Sequence, residues 1–139
     1  MIQFISLKSG FQIHKTEGLK AWLIQVATNE NARVGHLAYI CCSDRYLLEM
    51  NKSFLNHNYY TDVITFPDSL DKTILSGEIY VSIDRVKKNA SDLKIDFQQE
   101  LARVFLHGLL HLVGYNDKSI TEQREMRAKE DYYLHLLPI

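Results

Sequence analysis

The chain has little cysteine: only Cys41 and Cys42, side by side. Neighbours on a strand point to opposite faces, so the pair is poorly placed for a disulfide with each other or for a zinc clip. A reducing, cytoplasmic home is therefore the default. Long apolar runs are missing as well, since nowhere do 18 apolar residues stand together, which argues against a spanning helix. The first residues, Met1 to Gly10, lack the basic start and apolar core of a leader, and a soluble, uncleaved protein with no membrane partner is expected. There is no excess of charge. Sixteen Lys and Arg stand against seventeen Asp and Glu, a net charge of -1, so nothing pulls the whole molecule toward nucleic acid. Any such binding has to be local.

What is present suits one compact domain spanning 1–139: 46% of the residues are hydrophobic, enough to bury a core without staples. Periodicity predicts strands over Ile2–Ser6, Val34–Cys42, Val63–Phe66 and Gly77–Ile83. Helices are predicted over Thr16–Thr28, Asp44–Leu55 and Asp84–Ala90. The stretch Pro67–Ser76 reads as a loop. Asp96 with Gln99 forms an Asx variant of a capping box opening a helix to about Val113, and Ser119 with Glu122 opens a last helix. The fold class expected is α+β: a small mixed sheet of about four strands covered by about five helices.

The segment His107-Gly-Leu-Leu-His111-Leu-Val-Gly114-Tyr-Asn-Asp117 carries the chemistry. Residues four apart on a helix share a face, so both imidazoles can reach one ion. Gly114 can adopt the left-handed conformation that ends a helix and returns Asp117 toward the pair. Two neutral imidazoles and one carboxylate leave a zinc-sized cation an open position, as catalysis requires. Two hydrogen-bonded core histidines are the plainer alternative, but the run Val104–Val113 offers them few partners. Gly108 costs about 1 kcal/mol against Ala in a helix interior, for reasons of packing or of space beside a site. It also stands where a His-Glu-x-x-His peptidase carries its general base, which disfavours peptide hydrolysis. A metal-activated water acting on a phosphodiester remains open.

His107-Gly-x-Leu-His111-Leu-x-Gly-Tyr115 resembles the signature of the YbeY family, single-domain metal-dependent endoribonucleases of bacterial ribosomal RNA maturation. Thr61-Asp62-Val63-Ile64-Thr65-Phe66-Pro67 and Gly77-Glu78-Ile79 are similar to two of its strands, and Met50-Asn51 with Phe54 fit its second helix. The likeness runs from about Leu47 to Glu130, while the N-terminal third matches in element order alone. The resemblance implies a single-strand-specific endoribonuclease with one zinc ion on His107, His111 and Asp117. It further implies ribosomal RNA precursor as partner, ribosomal proteins as further ones, and no DNA. The other reading is a non-catalytic, metal-stabilised ribosome-assembly factor.

Two positions depart from the family pattern. Asn116-Asp117 stands where the family usually has Asp-His, and oxygen is an acceptable zinc donor. Leu55 stands where an arginine suited to gripping phosphate is usual. Arg85, Lys87, Lys88 or Arg103 would then supply the lost charge, with His57 as a further substrate contact. Tyr59 and Tyr60 offer faces on which unpaired bases could stack. Thr61 and Asp62 are candidates for orienting a ligand imidazole. The acidic stretch Glu122, Glu125, Glu130 and Asp131 is expected to balance the total charge, leaving another side positive. His14, His36 and His135 lack partners at ligand spacing.

Overall fold

In the computed structural model, residues 1–138 are described. They form β1 (Ile2–Ser6), α1 (Thr16–Asn29), β2 (Arg33–Cys42), α2 (Asp44–Leu55), β3 (Val63–Pro67), β4 (Ile74–Ser82), α3 (Ile83–Leu93), α4 (Phe97–Val113) and α5 (Ile120–Leu134). The four strands lie in the order β1-β2-β4-β3, with β1, β2 and β4 parallel and β3 antiparallel to β4. Parallel neighbours need crossovers, and α1 supplies the one between β1 and β2. The α+β architecture expected from the sequence is the one observed.

The core lies between the sheet and α4. Leu101, Val104, Phe105, Leu109 and Leu112 of that helix are buried in one cluster with Tyr39, Ile79 and Val81 of the sheet. Tyr39 and Phe105 pack with ring centroids 4.6 Å apart, and the Tyr39 hydroxyl donates to the Phe105 carbonyl at 2.9 Å. A buried phenol thus keeps a partner, which burial otherwise makes costly to lose. A Cβ on Gly108 would stand 2.8 Å from Ile79 Cγ2 and 3.4 Å from Val63 Cγ2. Of the two reasons for this glycine, the structure supplies packing: its bare backbone lets α4 lie directly on β4 and β3.

Some boundaries differ from expectation. The loop ends before Ile74, because Ile74 and Leu75 pair with Arg33 and Val34 of β2, a partner remote in sequence. Helix α3 continues past Ala90 to Leu93 and closes on Lys94 at φ 56°. At Asp96 the cap is one-sided: its carboxylate accepts from the Gln98 N–H at 3.1 Å, without a return bond from Gln99 among the described residues. Ser119 and Glu122 complete both halves of their box.

Candidate metal centre

Helix α4 delivers its two histidines as the four-residue spacing demands, and the turn at its C-terminal end brings the third group. Gly114 takes φ +127°, and the Tyr115 N–H donates back to the Leu110 carbonyl at 3.0 Å, so the chain reverses over the last turn. Asp117 Oδ2 then lies 3.1 Å from His107 Nε2 and 3.4 Å from His111 Nε2. The two Nε2 atoms are 3.0 Å apart, and ligand atoms of all three residues lie within 4.8 Å of one another. The structure therefore brings His107, His111 and Asp117 together.

The outer nitrogens decide what the inner ones can do. His111 Nδ1 lies 2.9 Å from the Tyr115 carbonyl, which can only accept, so Nδ1 carries the proton. His107 Nδ1 lies 2.6 Å from Glu130 Oε2 and donates to it likewise. In its neutral form each ring turns the Nε2 lone pair inward, toward the other ring and the Asp117 carboxylate. The inward-facing groups are satisfied by one shared cation, either a proton on His107 Nε2 or a metal ion. The donor set fits a divalent metal.

Glu130 is 2% exposed and Glu100 is fully buried. Arg103 lies between them, its Nη1 3.1 Å from Glu130 Oε1 and its Nε 2.9 Å from Glu100 Oε1. Burial disfavours a charged His107, yet the hydrogen bond and charge of Glu130 outweigh it and raise the imidazole pKa. Burial likewise opposes ionisation of Glu130, and His107 and Arg103 together lower its pKa. The potential around His107 is thus negative, as a cation requires.

Glu130 of the acidic C-terminal stretch sits on the buried stripe of α5 with Met126 and Tyr133. Arg103, expected to grip phosphate, turns inward with only 16% of its side chain exposed and both faces held by carboxylates. Arg85 pairs with Asp44 at 2.9 Å and lies over the Tyr60 ring, and Lys88 pairs with Asp92 at 2.9 Å. Lys87 is exposed on α3. His57 stacks on Tyr59, whose hydroxyl is 2.9 Å from its Nδ1. Arg85, Lys88 and His57 make no hydrogen bond or ion pair with the three clustered residues. Tyr59 and Tyr60 are exposed, not buried under the site helix. Asp62 accepts from Asn89 at 3.4 Å, so orienting an imidazole falls to Glu130. One signal in the sequence pointed to Glu130: a carboxylate at helical spacing from Met126 and Tyr133 falls on a core-facing stripe.

The family model described as Endoribonuclease YbeY matches residues 6–138. The Endoribonuclease YbeY of Cytophaga hutchinsonii is 47% identical over 135 residues, 97% of this chain and 94% of the relative. That of Flavobacterium psychrophilum is 45% identical over 139 residues, 100% of this chain and 98% of the relative. A solution structure of a Thermotoga maritima protein aligns with a TM-score of 0.68 at 30% identity, over 99% of this chain and 89% of that one. The likeness reaches well before Leu47, into the third where the motifs alone matched only element order. With the match running nearly end to end, the chain belongs to the YbeY endoribonuclease family.

Proposed function

We propose that this protein is a metal-dependent endoribonuclease that cleaves single-stranded regions of ribosomal RNA precursors, with His107, His111 and Asp117 holding one zinc ion. The observation that carries the metal assignment is the pair of Nε2 atoms 3.0 Å apart with the Asp117 carboxylate beside both. Zinc is favoured by size: with bonds of about 2.0–2.1 Å, tetrahedral donors stand roughly 3.3 Å apart. The donor separations of 3.0, 3.1 and 3.4 Å bracket that value. Bound there, the ion supplies an activated water and Lewis-acid stabilisation of a phosphoryl oxygen.

The protein's own part is to hold and orient. Glu130 and the Tyr115 carbonyl each take an Nδ1–H, fixing both rings with Nε2 turned inward and raising their basicity as ligands. Asp117, at 39% the most exposed of the three side chains, marks the side on which RNA approaches. No helix is long and apolar enough to cross a membrane, and Cys41 and Cys42 are buried free thiols, which supports a reducing cytoplasm as the place of action.

The His111→Ala variant tests this reading by losing ion and RNA cleavage together; a variant that cleaves RNA without metal would refute it. Leu55 in the place of the family's usual arginine favours a second reading, a non-catalytic assembly factor whose metal pins the end of α4 while the fold binds RNA or a ribosomal protein. Equal RNA cleavage by metal-loaded and metal-stripped protein, at background level, decides for that second reading.

A further inference from the structure

An RNA strand presented to the three clustered residues carries negative charge at every phosphate and passes the half-exposed carboxylate of Asp117. Beyond the ion proposed above, a cation beside the site would hold the flanking backbone phosphates. Of the basic residues expected to supply charge, Arg85 is engaged by Asp44, Lys88 by Asp92 and Arg103 by Glu100 and Glu130, while Lys87 is exposed on α3; Lys129 is held by Glu30. Lys72 forms no ion pair among the described residues, and it is exposed. Its ammonium lies beside the helix end that carries the site, 3.8 Å from where a Cβ on Gly114 would stand. A cavity of about 270 Å³ is lined by Lys72 together with His111, Leu112, Thr65 and Ser69. Drug-sized ligands occupy roughly 300–1,000 Å³, so this space suits a phosphate with its sugar.

The loop that presents Lys72 is stitched on both sides. Asp71 Oδ1, also on the cavity rim, accepts from the Thr73 N–H at 2.9 Å and the Thr73 hydroxyl at 2.7 Å, which turns this carboxylate to local use. Ser69 Oγ accepts from the Asp71 N–H at 3.2 Å, and the Asp68 N–H donates to the Ser76 carbonyl at 2.9 Å. Lys72 Cδ lies 3.9 Å from where a Cβ on Gly114 would stand, so the lysine stem lies against this turn.

We propose that Lys72 and this cavity form a phosphate-binding subsite, seating the backbone of single-stranded RNA next to His111. The subsite stands in for the charge missing at Leu55, and it rests on the endoribonuclease reading above. A lysine at this place could instead serve only as a cation at the negative end of α4. That role would lower the melting temperature of Lys72→Ala without changing how salt affects RNA binding.

The test is fluorescence anisotropy of a dye-labelled single-stranded RNA with the metal-loaded full chain, the RNA checked intact after each reading, between about 50 and 200 mM salt. Losing one phosphate contact should make the slope of log K against log salt shallower by about 0.7 in Lys72→Ala. Lys72→Arg should keep the slope, and so should Lys88→Ala, whose partner is Asp92. Metal content should equal that of the unaltered protein throughout. A slope unchanged in Lys72→Ala, or an equal change in Lys88→Ala, overturns the subsite while RNA cleavage by the unaltered protein keeps the nuclease reading standing. Failure of the unaltered protein to bind or cleave RNA overturns both.

Discussion

Glu130 Oε2 lies 2.6 Å from His107 Nδ1 across 23 positions of sequence, and this contact fixes the site helix to α5. The same carboxylate meets Arg103 through its other oxygen, so one side chain orients an imidazole and satisfies a buried guanidinium. Glu130→Gln keeps the shape but removes the charge that favours Nδ1–H on His107. Metal affinity should fall about 10–100-fold, the usual consequence of losing such an outer partner. A chelator-competition titration checks it, and an affinity equal to that of the unaltered protein would refute the role.

Asp117 differs in consequence from its neighbours because, of the three proposed ligands, it alone carries negative charge. Asp117→Ala should lose most of the bound metal. Asp117→His, which installs another zinc donor, should retain it. Elemental analysis of the two purified variants is the measurement, and equal metal content in both would count against Asp117 as a ligand.

Replacing Gly108 by alanine sets two effects against each other. Helix propensity favours Ala by about 1 kcal/mol, whereas forcing a methyl into a filled core costs about 1–3 kcal/mol. The contact at 2.8 Å to Ile79 Cγ2 is below any ordinary separation and involves a branched, buried side chain. Overpacking therefore wins, and net destabilisation of about 1 kcal/mol should appear as a lower urea midpoint. A raised midpoint would show that the sheet can yield.

Glu30 predicts a pH dependence away from the site. Burial opposes its ionisation, yet hydrogen bonds from Tyr115, Tyr133 and Lys129 outweigh this and hold its pKa below 4.5. A depressed carboxylate contributes stability that is present above its unfolded value and lost as pH falls through the folded one. Unfolding free energy of the unaltered protein should thus decline as pH drops below about 4.5, and the decline should be shallower in Glu30→Gln. Because Tyr115 sits in the loop before Asp117, its 2.6 Å bond to Glu30 also steadies that loop. Denaturant titrations at several acidic pH values decide the matter; parallel curves for the two proteins would exclude Glu30 as the titrating group.

Much of the site was legible because its parts are local. His107 and His111 share a face by helix geometry alone, and a glycine past the last turn reverses the chain without reference to anything distant. Strand and helix order came from hydrophobic period, and the capping residues marked two helix starts. The start of β4 was hidden, since Ile74 joins the sheet through Arg33, a pairing no local pattern announces.

Charge was harder to place than shape. Nothing in the sequence announced the burial of Arg103 and Glu130, because such residues are almost never buried unless paired, and the pairing exists only once α4 and α5 pack together. Lys72 was likewise one loop cation among others until the fold set its ammonium beside Gly114. Sequence alone picked out the groups proposed to bind an ion, since that choice rests on donor chemistry and on spacings of a few residues. Tertiary packing decided how those donors are held and where their counter-charges lie, because electrostatic partners are chosen by distance in space and not along the chain.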